Sequence, residues 1–382
     1  MNNKFDDIAP LYDHEVKQAI QDILVDPGFQ HAVRYIMPDI SWEEFSAEMS
    51  KYETKEQFQS HMIYPVVKML GMRVSDSMLL DKWETIDKSV EHLFLSNHRD
   101  IVLDAGLLNI LRHEKGFATT EIAIGDNLLI HPWIDKLVRL NKSFIVRRGL
   151  SIKERLIASK HMSEYIHYAI SEKKESVWIA QREGRAKNSD DRTQDSLLKM
   201  LALYPEDKPF IESLKDLNLI PLSISYEYDP CDYLKAKEFQ QKRDNPDFKK
   251  TQRDDLLNME IGILGRKGNV IFRFGNCINP ELDKITEPDK RIQPEIAAQI
   301  IDKEIHRNYE IFPCNYMAHD LFNKETRFSD KYTPEQVDEF KNYLDKQIKK
   351  IDLDYIDHDF VFDKMLEMYS NTLKNHLIAI QS

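Results

Sequence analysis

Short apolar segments alternate with longer amphipathic ones between residues 92 and 227, and this alternation constrains the fold more than any other feature of the sequence. The apolar segments have the length of buried strands. They are HLFLS (92–96), SFIVR (143–147), SVWIA (176–180) and LIPLSISYE (219–227). Helical spacing of apolar residues is found near 100–113, 131–141, 151–173, 193–204 and 208–216. We therefore predict an α/β fold with a central mixed β-sheet flanked by helices.

The segments on either side of this region have a different pattern. Residues 1 to about 80 carry apolar residues at three- and four-residue spacing, which predicts helices. Residues 259–275 are predicted to form a β-hairpin whose turn contains Gly268, a residue able to adopt positive φ. From about residue 290 to about Leu377 the chain is again predicted to be helical. We accordingly divide it into an N-terminal helical region (1–85), an α/β domain (86–290) and a C-terminal helical region (291–382).

The charge and cysteine content restrict the class of protein. The net charge is −12, which argues against general nucleic-acid binding because that requires a basic face. No apolar segment approaches the roughly 18 residues that cross a bilayer, and the first residues carry acids instead of a secretory signal. The three cysteines are far apart and form neither a disulfide framework nor a zinc pattern. We expect a cytoplasmic protein, with peripheral contact to the inner face of the membrane left open.

The segment FLSNHRDIVLDAGLLN (94–109) contains a histidine that invites a catalytic interpretation. His98-Arg99-Asp100 matches the start of a protein-kinase catalytic loop. A kinase requires Asn five residues after that Asp to hold Mg²⁺, and this chain has Ala105 there. No glycine-rich phosphate loop precedes the segment, and no Asp-Phe-Gly follows it. The kinase interpretation is therefore rejected.

The surroundings of His98 favour a role as a general base. It follows an apolar strand and precedes a helix, where α/β sheets present functional side chains. Asp100 and Asp104 both lie within reach along the chain. A histidine that a carboxylate orients can take a proton from an alcohol near neutral pH. Since no serine or cysteine nucleophile stands out nearby, direct attack by a substrate hydroxyl is the simpler chemistry.

Four segments in order resemble the motifs of the glycerol-3-phosphate and 1-acylglycerol-3-phosphate acyltransferase superfamily. The first is the His98 segment. The others are GDNLLIHPWIDKLVRLNKSFIVRR (125–148), WIAQREGRAK (178–187) and IPLSISYEY (220–228). The resemblance covers about residues 90 to 275. It implies transfer of a fatty acyl group from acyl-CoA or acyl-carrier protein to a hydroxyl of glycerol 3-phosphate or a lysophospholipid, with no further cofactor and no metal.

The resemblance implies that His98 is the base and that an aspartate orients it. The family has four residues between its His and Asp, and that spacing leads to Leu103, which cannot accept a hydrogen bond. One additional residue would place Asp104 in the role, and the apolar AGLLNIL after it also fits the family. Asp100 is the alternative, although it is also well placed to cap the following helix.

The second and third motifs are implied to bind the substrate phosphate. In the second, the functional arginine ends the strand, which leaves Arg147 and Arg148 as candidates. In the third, Glu183, Gly184 and Arg185 match, with Lys187 as a further cation. Arg185 directly follows Gly184 where many members have one more residue, so Arg182 also competes. Glu183 is expected to bind the glycerol hydroxyl or to structure the loop, and Pro221 of the fourth motif to shape the strand near the site.

Two other functions remain open at this stage. One is an O-acyltransferase whose acceptor is a lipid without phosphate, such as an amino-acid-derived one. The other is a protein that binds lipid or carrier protein without catalysis. The sequence determines neither the acceptor, the donor nor the acyl chain length.

Overall fold

The computed structural model describes residues 4–381, which build a seven-stranded sheet between layers of helices. The strands are β1 (Ser75–Asp81), β2 (Leu93–Ser96), β3 (Glu121–Gly125), β4 (Ser143–Val146), β5 (Val177–Ala180), β6 (Ile220–Tyr226) and β7 (Gly268–Phe274).

Seventeen α-helices surround the sheet within the described residues. Those before β5 are α1 (Asp13–Leu24), α2 (Pro27–Ile36), α3 (Trp42–Met49), α4 (Lys55–Phe58), α5 (Tyr64–Val74), α6 (Leu103–Glu114), α7 (Pro132–Leu140) and α8 (Ile152–Ser171). Those after it are α9 (Asp195–Leu201), α10 (Phe210–Lys215), α11 (Asp232–Asp244), α12 (Gln252–Leu264), α13 (Asn279–Leu282), α14 (Gln293–Arg307), α15 (Pro313–Asn323), α16 (Pro334–Ile348) and α17 (His358–Gln381).

The sheet has the order β1-β7-β6-β2-β5-β3-β4. The five strands from β6 to β4 are mutually parallel, so their carboxyl ends share one edge. β7 pairs antiparallel with β6 and parallel with β1, which makes the sheet mixed. β2 lies at the centre, and the residues that follow it therefore emerge from the middle of the shared edge.

Each face of the sheet is covered by its own apolar cluster. Leu93 and Leu95 of β2 point into a cluster with α8, α9 and α14. Phe94, between them, packs on the opposite face with α6. This alternation is the two-residue period of a strand buried on both sides. Two further clusters lie within the N-terminal helices and the C-terminal helices.

The α/β fold with its mixed central sheet and helical flanks is confirmed. The four predicted strands and the five predicted helices between residues 100 and 216 are all present, with ends displaced by a few residues. The structure adds β3 and α11, which the sequence analysis did not identify. The division of the chain at residues 85 and 290 stays a prediction.

Two predictions about secondary structure are wrong. Residues 75–81, assigned to the helical N-terminal region, form β1. Residues 259–275 do not form a hairpin, because the first half lies in α12 and only the second half is a strand. Thr251 and Asp254 form a capping box that starts α12, and β7 then finds both of its partners elsewhere in the chain. Gly268 does adopt positive φ (66°), at the start of β7.

Within residues 4–381, no helix is both long and apolar enough to span a bilayer.

Candidate active site

His98 is fixed at the carboxyl edge of the sheet by the residue before it. The Asn97 side-chain amide donates to the Ile224 carbonyl (2.9 Å), and its oxygen accepts from the Ile224 N–H (2.8 Å). Asn97 thus continues the pairing of β2 with β6 through its side chain after the backbone has left the sheet. The chain leaves the sheet at Asn97, and His98 follows directly, with a side chain that is 14% exposed.

The imidazole of His98 is oriented by Asp104. Nδ1 lies 2.8 Å from Oδ2 of Asp104, whose side chain is fully buried. The same oxygen accepts the backbone N–H groups of Arg99 (2.6 Å) and Asp100 (3.0 Å). Oδ2 of Asp104 acts as an acceptor in all of these hydrogen bonds, so Nδ1 must be the donor. Nδ1 therefore carries the proton of the imidazole, and Nε2 carries the lone pair. Among the described residues, Nε2 has no hydrogen-bond partner, and it is therefore available to a substrate.

Asp100 serves the backbone instead of the imidazole. Its Oδ1 accepts from the N–H groups of Val102 (2.9 Å) and Leu103 (2.8 Å), which start α6. Its Oδ2 lies 3.6 Å from Nζ of the fully buried Lys267. A Cβ at Gly262 of α12 would approach this Oδ2 to 2.6 Å, so α12 packs directly on the carboxylate. The geometry supports the capping role for Asp100 and leaves the orientation of His98 to Asp104.

Two aromatic residues that the sequence analysis left aside complete the surroundings of His98. Tyr226, at the end of β6, donates its hydroxyl to Oδ1 of Asp104 (2.8 Å). Burial and the Asp104 carboxylate raise the pKa of Tyr226 well above its ordinary value, so the phenol stays protonated and keeps donating. Trp178 of β5 places its ring edge-on to His98 with centroids 6.0 Å apart, held by an indole hydrogen bond to Ser96 (3.1 Å). Both residues lie on strands next to β2.

The two arginines at the end of β4 point to different partners. Arg147 pairs with Asp7 of the N-terminal segment (3.0 Å). Arg148 lies 3.6 Å from the exposed carboxylate of Glu183, so it approaches the third-motif loop. Its side chain passes over Gly125 of β3, where a Cβ would meet the guanidinium at 2.6 Å. Of the two candidates, Arg148 is the one that the structure brings to the third-motif loop, at Glu183.

The third-motif loop follows β5 and turns at Gly184, whose φ is +70°. Such a conformation is open to glycine at little cost. Arg185 then points inward and donates to the Asn258 side chain of α12 (2.9 Å), while its Nη1 is buried without a partner. Lys187 contacts Glu238 of α11, and burial together with the nearby Lys242 lowers the pKa of Lys187 below its ordinary range. Arg182 has a buried Nε without a hydrogen bond.

A buried network fastens this loop to the segment that contains His98. Arg99 forms an ion pair with Asp191 (2.8 Å), and both side chains are almost completely buried. Tyr309, after α14, donates to the same Asp191 oxygen (2.6 Å). The Thr193 N–H donates to Asp302 of α14 (2.7 Å). The two motifs are therefore held together by buried side chains.

Pro221 lies in β6, paired with Leu95 of β2, and its carbonyl accepts from the Gly275 N–H (2.8 Å). It is buried in the strand beside His98, consistent with a shaping role.

The described residues contain one group of three side chains that could hold a metal ion, His319, Asp320 and Glu325 at the end of α15. The His98–Asp104 pair is not part of that group.

Comparison with known proteins gives a structural likeness but no match in sequence. No protein-family model and no curated protein matches the sequence. A solved structure, the 1-acyl-sn-glycerophosphate (LPA) acyltransferase PlsC from Thermotoga maritima, is similar over 75% of this chain and 94% of that chain, at 9% identity and a TM-score of 0.35. The roles of individual residues therefore rest on the geometry of this chain.

Proposed function

We propose that this protein is an O-acyltransferase that moves a fatty acyl group from a thioester to a hydroxyl of glycerol 3-phosphate or a lysophospholipid. The donor would be acyl-CoA or acyl-carrier protein. The observation that carries the proposal is the His98–Asp104 pair at the carboxyl edge of the sheet, with Nδ1 committed to the buried carboxylate and Nε2 open. This is the arrangement of a general base for an alcohol.

The proposed reaction is a single acyl transfer. Nε2 of His98 removes the hydroxyl proton as the acceptor oxygen attacks the thioester carbonyl, and Asp104 stabilises the imidazolium that results. The tetrahedral intermediate then collapses with cleavage of the carbon–sulfur bond. The imidazolium returns the proton to the departing thiolate, so the products are an ester and a free thiol. No residue of the protein becomes acylated.

Cations near the third motif support an acceptor that carries phosphate. Arg148 approaches Glu183 from the second motif, and Arg185 and Lys187 follow Gly184 in the loop. Arginine presents paired N–H groups that match phosphate oxygens. The buried Nη1 of Arg185 and Nε of Arg182 have no partner among the described residues, and such groups are costly unless something binds them. We propose that Arg148, Arg185 and Lys187 hold the phosphate and that Glu183 structures the loop or binds the glycerol hydroxyl.

An acyl-transfer assay with purified protein tests the proposal. Labelled acyl-CoA and acyl-carrier protein are each combined with glycerol 3-phosphate, lysophosphatidate and a hydroxylated lipid without phosphate. We expect saturable ester formation with one of the phosphate-bearing acceptors. Turnover restricted to the acceptor without phosphate would exclude the proposed substrate class, and no transfer with any pair would leave a binding protein as the alternative.

The catalytic role of His98 is tested with His98→Gln, which keeps a polar side chain of similar length and removes the base. Because general base catalysis contributes about 10²–10⁴-fold, we expect turnover to fall by about that factor. His31→Ala, in the exposed part of α2, is the matched control and should turn over normally. Near-normal turnover by folded His98→Gln would refute the mechanism.

A further inference from the structure

The first two turns of α8 expose large apolar side chains to solvent. Every residue from 151 to 157 is exposed, whereas a buried face begins at about residue 162. Ile152 is 88% exposed, Leu156 54% and Ile157 61%. Single exposed apolar side chains are common on protein surfaces, but three on two successive turns of one helix end form a patch. We call Ile152, Leu156 and Ile157, with the charged residues between them, the α8 patch.

The charges within the α8 patch are predominantly positive and are free to meet a partner. Lys153 and Arg155 form no ion pair within residues 4–381, and Arg155 only approaches the Leu150 carbonyl (3.5 Å). Glu154 is occupied by the helix cap, since it accepts the Ser151 N–H (3.0 Å). The patch is thus basic in a chain whose net charge is −12. A helix with apolar side chains beside Lys and Arg has the character of an interfacial helix that binds anionic lipid.

The α8 patch lies at the same edge of the sheet as His98. Ser96 of β2 is in register with Ala180 of β5, and the pairing of β5 with β3 and of β3 with β4 puts Ile145 of β4 in the same register. His98 lies two residues after Ser96, and Arg147 lies two residues after Ile145, so both lie at the carboxyl edge of the sheet. Three strand spacings of about 4.8 Å separate β2 from β4, or about 14 Å in all.

A groove of about 540 Å³ adjoins the patch between the N-terminal segment, the end of β4 and α8. Its apolar lining includes Ile8, Val146, Leu150, Ile157, Met162 and Met200. Ile157 belongs to both the groove and the patch, so the apolar surface of the α8 patch continues into the groove.

We propose that the α8 patch binds the surface of an anionic lipid bilayer, with Ile152, Leu156 and Ile157 inserted among the acyl chains and Lys153 and Arg155 at the phosphates. A bilayer fits the composition of the patch because its exposed apolar side chains can insert among acyl chains. Lys153 and Arg155 then lie at the level of the anionic lipid phosphates, which complement their charge. Binding to the bilayer is independent of the proposed acyl transfer, and it would turn the sheet edge that carries His98 towards the lipid.

Sedimentation of the full chain with vesicles tests this proposal. We use phosphatidylcholine vesicles with and without phosphatidylglycerol, at low and high salt. We expect wild-type protein to sediment with the anionic vesicles and to be released in part by salt, because screening weakens the contribution of the lysines and arginines. Wild-type protein that stays in the supernatant with both kinds of vesicle would overturn the proposal.

Two variants and a control separate the apolar contribution from the charge. The double variant Ile152→Ser/Ile157→Ser should lose at least about tenfold in its partition coefficient, since each buried CH₂ group contributes to insertion. Lys153→Gln/Arg155→Gln should lose binding to anionic vesicles selectively. Val25→Ser, at a lone apolar residue that is 76% exposed outside the patch, is the matched control and should bind as wild type does.

Two results would refute the assignment of the patch. One is equal vesicle binding by Ile152→Ser/Ile157→Ser and Val25→Ser when both melt at the wild-type temperature. The other is capture of an acidic acyl-carrier protein by the wild type, lost in the same variants, without any binding to vesicles. The latter would identify the α8 patch as a protein-docking surface.

Discussion

Asp104 lies six residues after His98, and the loop accommodates the additional residue by wrapping its backbone around the carboxylate. The N–H groups of Arg99 and Asp100 both point at Oδ2, which also accepts from His98. Tyr226 supplies a fourth donor, to Oδ1. A carboxylate buried without such donors would carry a large desolvation penalty, and the four together satisfy it and fix its direction.

We predict that Tyr226→Phe lowers kcat by about tenfold and leaves KM for the acceptor nearly unchanged. One hydrogen bond to a charged group contributes about 1.5 kcal/mol, which corresponds to about a factor of ten in rate if it is lost from the oriented pair. Steady-state kinetics below the melting temperature measure this. Tyr228→Phe is the control, because the Tyr228 ring packs on Tyr343 (centroids 4.7 Å apart) and has no contact with Asp104. Equal kinetics in the two variants would contradict a positioning role for Tyr226.

At this scale the sequence could indicate His98 and its candidate carboxylates, because these lie close together in the chain. It could not indicate Tyr226, whose hydroxyl reaches Asp104 across 122 positions. That contact depends on β6 lying beside β2, and the local spacing of apolar residues does not predict the order of strands in a sheet. The available signal was weak: Tyr226 ends a predicted strand, where parallel sheets collect functional residues.

At the scale of elements, the end of β4 presents two arginines that the sequence could not distinguish. We predict that Arg148→Ala raises KM for a phosphate-bearing acceptor by about 10–100-fold, the cost of losing one charge-assisted hydrogen bond, with a smaller effect on kcat. Arg147→Ala should change KM much less, since its guanidinium is engaged with Asp7. Initial rates over a range of acceptor concentrations measure both. A larger KM effect from Arg147→Ala would reverse the assignment.

Helix α12 shows why part of the site lay beyond sequence reasoning. The sequence predicts a hairpin over residues 259–275 because Gly268 can adopt positive φ in a turn, although Thr251 and Asp254 match the pattern of a capping box. As a helix it brings Asn258 to Arg185 and the backbone of Gly262 to Asp100. Helix α12 therefore connects the first and third motifs, although it contains no recognisable motif itself.

At the scale of the whole molecule, local periodicity predicted the layers but not their connections. The strands and helices predicted between residues 92 and 227 are all present, although β3 (Glu121–Gly125) lies among them and was not predicted. β1 is predicted as part of a helical region, and β7 is predicted as a strand with the wrong partner. Their actual pairing joins positions almost 200 residues apart, such as Leu80 and Phe272. The same long-range closure places α14 against the third-motif loop, through Thr193 and Asp302.

The burial of Asp302 makes the stability of the fold depend on pH. Burial raises the pKa of Asp302 from 3.8 to about 6, opposed by hydrogen bonding from Thr193 and by Arg192, and reinforced by Asp191. Between these two values the folded protein holds a proton that the unfolded chain has released. The free energy of unfolding must therefore fall as pH rises from about 4 to about 6, by up to about 3 kcal/mol from this group.

We predict that Asp302→Asn removes this part of the pH dependence while keeping an oxygen for the Thr193 N–H. Urea unfolding at pH 4.5 and at pH 7.5 measures it, as the loss of unfolding free energy between the two conditions. The loss should be smaller in Asp302→Asn than in wild type by about 2 kcal/mol, so the stability of the variant rises relative to that of wild type as pH increases. Asp39→Asn, at an exposed site, should show the wild-type loss. If Asp302→Asn instead lost as much stability as wild type over this interval, the carboxyl would be charged in the folded state throughout, and the Thr193 contact would be a hydrogen bond to an anion.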